Sequence, residues 1–353
     1  MTKRNLSPLW PGVPLALASA LAFGGSTPLS KILLGSIDPQ LLAGLLYLGA
    51  GIGLGVVHLA RSALGIPAQE APLRKTDLPW LAAVVLFGGI IGPLLLMHGL
   101  FRTEAASGAL LLNLEALATM GLAWLVFREN VDRRLLFGAF AIVAGAVVLS
   151  WQGQGVELNA GAGLIAGACL AWGVDNNLTR KLSAADPVMI AMLKGLVAGT
   201  VNAGLALWWG AALPSTGMLG AAAVVGFVGI GISLVLFILG LRHLGAARTG
   251  AYFSLAPFIG ALLAVAFLGE PLTARLAIAS TLMGVGLWLH LAERHQHAHQ
   301  HEELDHDHSH RHDDHHQHAH DGPVTEPHSH GHRHTPLRHT HPHYPDLHHR
   351  HQH

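Results

Sequence analysis

A succession of apolar runs, each about 20 residues long and bounded by charged or turn-forming residues, limits what this chain can fold into more than any other feature. A bilayer core about 30 Å thick needs one helix of roughly that length per crossing. Ten such runs can be marked, at about 12–34, 39–60, 78–100, 104–127, 134–151, 159–181, 187–210, 217–241, 246–268 and 270–290. The connections between them are too short to hold a soluble domain. The expected fold class is therefore an all-α polytopic membrane protein of ten transmembrane helices. The short segment 1–11 is expected to be a cytoplasmic N-terminus, because the run after it is long and lacks a small-residue cleavage site, as a retained first helix would.

Composition agrees once the chain is divided in two. Of 353 residues only 12% are charged, about half the usual share in a soluble protein. Yet 23 of the 27 histidines lie in 295–353. Residues 1–294 carry 17 Lys/Arg against 12 Asp/Glu, and the remainder 4 against 9, so the formal net charge of zero is a cancellation. The single Cys169 excludes an internal disulfide and a multi-thiolate zinc site. No phosphate-binding glycine loop, catalytic triad or nucleic-acid motif is present, so neither an enzyme nor a nucleic-acid partner is expected.

The body repeats itself. Leu21–Lys31 (LAFGGSTPLSK) lines up with Leu170–Arg180 (LAWGVDNNLTR), and each is followed by an Asp-Pro pair that opens the next helix, at Asp38-Pro39 and Asp186-Pro187. Gly99-Leu100, Ala105-Ala106 and Glu129 match Gly240-Leu241, Ala246-Ala247 and Glu270. Five helices per copy is an odd number, so the second copy must enter the membrane from the opposite side, as in the inverted repeats of secondary transporters. The domains expected are 12–151 and 159–290. Glycines at 49, 51, 53 and 55, at 88, 89 and 92, and at 226, 229 and 231 allow close helix contacts where lipid supplies no hydrophobic drive. Pro93 adds a kink point.

The ten-helix, five-plus-five plan, the Ala-Trp-Gly stretch at Ala171–Gly173, the run Leu122–Glu129 (LAWLVFRE) and its counterpart Ala266–Pro271 (AFLGEP) resemble the EamA-type branch of the drug/metabolite transporter superfamily. The resemblance covers about 12–290. It implies a carrier of small molecules in the inner membrane, often an exporter, working by alternating access, with no cofactor required. It names no substrate. A homodimer is compatible with it.

Ionisable residues inside the runs mark the candidate site, because a charge near the bilayer centre is costly and is kept only with a partner or a task. Asp175 and Lys194 lie at matching depth, about 10 Å from the cytoplasmic helix ends at 1.5 Å per residue. Glu115 sits near the middle of the fourth run. Helical spacing places Trp172 on the face of Asp175 and Asn202 on that of Lys194, and Asn176 and Asn177 add donors and acceptors. Two readings compete: a salt bridge that only locks two helices, and a polar substrate or proton site in which one of two carboxylates facing one ammonium exchanges protons. His58 and His98 each stand alone and read as packing histidines.

The tail 295–353 alternates histidine with other residues. His295, His297, His299 and His301, then His306, His308, His310 and His312, then His315, His316, His318 and His320, and His328, His330, His332 and His334 form its densest groups. Neutral imidazoles suit zinc, nickel or cobalt, and this composition builds no apolar core, so the segment is expected to be a disordered, metal-binding accessory. The alternative function is a divalent-metal transporter that uses the tail to collect or sense metal. Against it, no run carries two ligands one helical turn apart.

Orientation follows from Lys and Arg beside the helix ends. Lys3, Arg4, Arg61, Arg74, Lys75, Arg128, Arg133, Arg134, Arg180, Lys181, Arg242, Arg248 and Arg294 fall on one side, against Lys31, Arg102 and Arg275 on the other. Both termini are therefore expected in the cytoplasm. A reporter fused after His353 should read as cytoplasmic, and a periplasmic signal would overturn the orientation.

Overall fold

The computed structural model describes residues 12–65, 72–127, 133–151, 159–182 and 185–291, together with 296–300, 304–310, 328–334 and 338–342. The body is helical: α1 (Gly12–Leu33), α2 (Pro39–Ala63), α3 (Leu78–Val84), α4 (Gly92–Phe101), α5 (Ala105–Leu111), α6 (Leu114–Phe127), α7 (Arg133–Ser150), α8 (Ala160–Leu182), α9 (Pro187–Trp208), α10 (Thr216–Val225), α11 (Ser233–Phe253), α12 (Ala256–Leu268) and α13 (Ala274–Leu291). Asp38 and Asp186, expected to open helices, do so as N-caps: each carboxylate accepts from the second and third amides of α2 or α9, with proline in the first position.

Among the described residues, six helical runs are long and apolar enough to cross a membrane, and three shorter apolar helices accompany them. α8 is not one of the six, because Asp175, Asn176, Asn177, Arg180 and Lys181 make its C-terminal half polar. Large side chains such as Leu125, Phe137, Phe140 and Phe267 face outward, as lipid-facing residues do. Two details differ from the sequence reading. The expected gap between the eighth and ninth runs is bridged by helix, since α11 continues to Phe253 and turns only at Ser254 and Leu255. Parts of the tail expected to be disordered are paired strands: β1 (Gln296–Gln300) with β4 (Arg338–Pro342), and β2 (Leu304–His310) with β3 (His328–His334), both antiparallel. Alternation with period two is also the period of a strand, which gives this polar sequence a way to pair its backbone.

Contacts between helices exchange partners between the two halves. α1 packs on α11 as α8 packs on α4, and α1 packs on α12 as α8 packs on α6. α2 crosses α9, and α7 crosses α13. A π-helical segment Val85–Ile91 joins α3 to α4, and a second, Gly226–Ile232, joins α10 to α11 at the matching place in the other half. The α2–α9 crossing is backbone on backbone: a methyl group on Gly51 would meet the Leu196 amide, and one on Gly195 the Gly51 backbone.

The two halves run in opposite directions. The C-terminal end of α1 and the N-terminal end of α8 lie together, because Lys31 Nζ donates to the carbonyls of Leu100 (2.6 Å) and Thr103 (2.7 Å) while Gly161 packs against Thr103 and Arg102. That end is pinned a second time. The Glu270 carboxylate accepts from the amides of Ala105 and Ala106, both at 2.7 Å, so the α4–α5 break has a cation on its free carbonyls and an anion on its free amides. Glu129, the residue aligned with Glu270, lies outside the described residues.

Candidate functional site

Asp175 and Lys194 meet. Lys194 Nζ lies 2.5 Å from Asp175 Oδ2, and the two residues are only 3% and 5% exposed. Thr179 Oγ1, one turn further along α8, donates to Asp175 Oδ1 at 3.1 Å. Room for the pair depends on the π-helical segment, since a methyl group on Gly88 would collide with the Asp175 carboxylate and the Lys194 ammonium. The Gly88 carbonyl in turn accepts from Tyr47 Oη at 2.7 Å and from Trp172 Nε1 at 3.0 Å. A π-bulge of this kind shifts backbone groups out of the regular ladder and is frequent at functional sites.

Glu115 approaches from the start of α6, just after the turn at Leu112 and Asn113. Asn176 Nδ2 donates to Glu115 Oε1 at 2.8 Å and also to Thr119 Oγ1 at 3.2 Å. Among the described residues no cation stands within ion-pairing distance of Glu115. Glu115, Trp172, Asp175, Asn176 and Lys194 all line one cavity, together with Phe23, Tyr47, Ser233, Phe237 and Phe253. Two expected members stand elsewhere. Asn177 Nδ2 donates to the carbonyls of Thr119 and Gly173, tying α8 to α6. Asn202 Nδ2 donates to the Gly89 and Ile90 carbonyls and is fully buried behind the site. Both turn inward because a buried amide needs backbone partners more than it needs a cavity.

A second, smaller cavity shares Phe23, Tyr47, Trp172 and Ile230 with the first and extends toward the pinned end past Ser26, Thr27, Ser30, Leu96 and Met97. Part of its wall is built from repeat partners of the first. Phe23 aligns with Trp172, Ser26 with Asp175 and Thr27 with Asn176. Gly229 packs on Ser26 as Gly88 packs on Asp175. Phe23 and Trp172 touch edge to face, with centroids 5.9 Å apart and an interplanar angle of 78°, at the boundary between the two cavities. Matching backbones thus carry an ion pair on one side and hydroxyls on the other.

The sequence profile of the EamA-like transporter family matches residues 10–151 and 159–292. The chain belongs to the EamA-like transporter family. It is accordingly a multi-pass membrane transporter of small molecules rather than a member of an enzyme family. This EamA-like transporter is 31% identical to an uncharacterized transporter of Methanothermobacter thermautotrophicus over 80% of the chain and 86% of that protein. It is 27% identical to the uncharacterized protein PA1977 of Pseudomonas aeruginosa, over 79% and 94%. A crystal structure 20% identical in sequence shares its fold with a TM-score of 0.59, covering 79% of this chain and 94% of that one.

Several lining residues of this family member escaped the sequence reading. Phe23 was within reach of it, being the repeat partner of Trp172. Tyr47, Phe237 and Phe253 carry no motif and come to the cavity only through helix packing. Trp172 is the buried member of the described tryptophans; Trp80, Trp124, Trp151, Trp208, Trp209 and Trp288 are all exposed by 40% or more. His58 and His98 line neither cavity. Among the described residues no three His, Cys, Asp or Glu side chains gather as a metal site. In the tail, His295, His301, His312, His315, His316, His318 and His320 lie outside the described residues, while His297, His299, His306, His308, His310, His328, His330, His332 and His334 fall in strands.

Removing one member of a buried ion pair strands the other, at a cost of about 3–5 kcal/mol. Lys194→Ala is expected to lower thermal stability more than Lys194→Ala combined with Asp175→Asn. A double variant no more stable than the single would show that the two are not coupled.

Proposed function

We propose that the protein is a secondary transporter that moves a small metabolite across the cytoplasmic membrane by alternating access. Export is the preferred direction, and both termini lie in the cytoplasm. Ten spans, as two inverted sets of five, form the transport body. The observation that carries this reading is the pair of repeat-related cavities meeting at Phe23 and Trp172. An inverted repeat permits one half to rock against the other about a fixed site, exposing first one cavity and then the other. Lys31 and Glu270 pin the end beyond the hydroxyl-lined cavity, which makes them the contacts to be released when that side opens. Glu115, a carboxylate with no cationic partner among the described residues, is the proton-exchanging group, and the Asp175–Lys194 pair is the fixed polar floor of the substrate site.

Single cysteines placed at Ser26 and at Ser233, in a Cys169→Ala background, test this with a membrane-impermeant thiol reagent. The two should react from opposite sides of the membrane, and conditions that protect one should expose the other. Glu115→Gln should leave the protein folded and abolish the dependence of that balance on pH. Labelling of both cysteines from the same side under all conditions would overturn the reading.

The tail is a metal-binding and metal-sensing accessory, with transport confined to residues 1–294. Its support is the density of imidazoles and the lack of an apolar period with which the tail could join the helical bundle. The full chain should retain several zinc or nickel ions and release protons on binding them, because ligating imidazole must be neutral. A chain ending at Arg294 should show the same cysteine reactivity without metal dependence. Loss of all alternation in the shortened chain would place the tail inside the transport mechanism.

A further inference from the structure

We propose that the cavity around Glu115 selects a monovalent organic cation, an amine or quaternary ammonium on an aromatic or compact apolar body. This rests on the reading of that cavity as the substrate site and adds the chemical class of what enters it. Of the three ionisable groups that define the cavity, Asp175 and Lys194 are joined at 2.5 Å and cancel each other. Lys194 is 3% exposed and its charge is already matched by Asp175, so it brings no net positive charge to the cavity for an anionic substrate. Glu115 has one oxygen on an amide donor and no cation beside it among the described residues. The cavity therefore offers one uncompensated negative charge when Glu115 is ionised. In a region of low dielectric that charge is satisfied by a cation far better than by a neutral or anionic guest.

The remaining wall decides which kind of cation. Phe23 lies 5.3 Å from Phe253, and Phe253 lies 4.9 Å from Phe237, with interplanar angles of 42° and 63°. Together with Trp172 across the Phe23 edge, these rings wrap the cavity rather than stack in a column. Aromatic faces attract weakly hydrated cations such as alkylammonium groups and offer apolar contact to the rest of the molecule. A bare divalent metal would instead require several oxygen or nitrogen ligands in place of its water. No group of three His, Cys, Asp or Glu side chains assembles among the described residues. One uncompensated carboxylate among five aromatic rings is the chemistry of an organic ammonium site.

The test uses the full chain in detergent and radiolabelled phenethylamine, with trimethylphenylammonium, phenethyl alcohol and phenylacetate as competitors. Phenethylamine should bind saturably and be displaced by trimethylphenylammonium, with the alcohol and the acid at least tenfold weaker. Glu115→Gln should weaken amine binding at least tenfold, and Phe253→Leu several-fold. Thermal unfolding of each variant checks that the protein is intact, and Glu115→Asp, which keeps the charge, should bind better than Glu115→Gln. If the alcohol or the acid binds as well as the amine and is lost with Phe253→Leu, the cation proposal falls while the cavity stands as the substrate site. If the amine does not bind, or binds equally in the intact Glu115→Gln protein, the cation proposal likewise falls. If the bound ligand is insensitive to every cavity substitution, the reading of the cavity as the substrate site falls with it.

Discussion

A lysine and an aspartate held 2.5 Å apart, almost wholly out of solvent, set the terms for the centre of this protein. Neither charge is tolerable alone at that depth, so side chains from α8 and α9 meet beside the π-helical segment on which both helices pack. The pair also needs space, which only a glycine at position 88 provides. The π-helical turn around that glycine presents its carbonyl to Tyr47 and Trp172, which fixes the two rings at the cavity wall. One ionic contact thereby ties together two helices, a backbone irregularity and the placement of two aromatic side chains.

The two halves share a backbone plan but differ in chemistry. Both carry a π-helical segment at the same place, and both bring a glycine against the facing helix. What those glycines face differs: Asp175 in one half, Ser26 in the other. In the alternating access proposed for this frame, the unequal side chains would make the two cavities chemically distinct ends of one pathway.

The tail stands apart from this frame in composition and in structure. Its described segments are antiparallel strand pairs that bring histidine opposite histidine along the backbone register, at His306 and His332 and at His308 and His330 among others. A two-stranded ribbon is marginal in water without additional stabilisation. Metal is one source of such stabilisation, which joins the ribbon geometry to the metal-sensing role proposed for it.

The sequence by itself determined the membrane class, the internal repeat, the Asp-capped helix starts and the pairing of Asp175 with Lys194. Each of these depends on a local or periodic property: apolar length, an N-cap next to proline, or equal distance from a helix end. Tertiary structure alone decided which side chains share a cavity. Asn177 and Asn202 lie on suitable faces yet turn to backbone carbonyls, because a buried amide satisfies its donors with the nearest acceptor. Tyr47, Phe237 and Phe253 join the site although nothing in their own segments marks them, since helix rotation and crossing are set by glycine contacts with distant helices. The uninterrupted α11 likewise has no counterpart in the first half, where a break follows α4 and Lys31 and Glu270 satisfy its exposed backbone groups from other helices. Such long-range partners are absent from any local pattern, so only the packed chain specifies them.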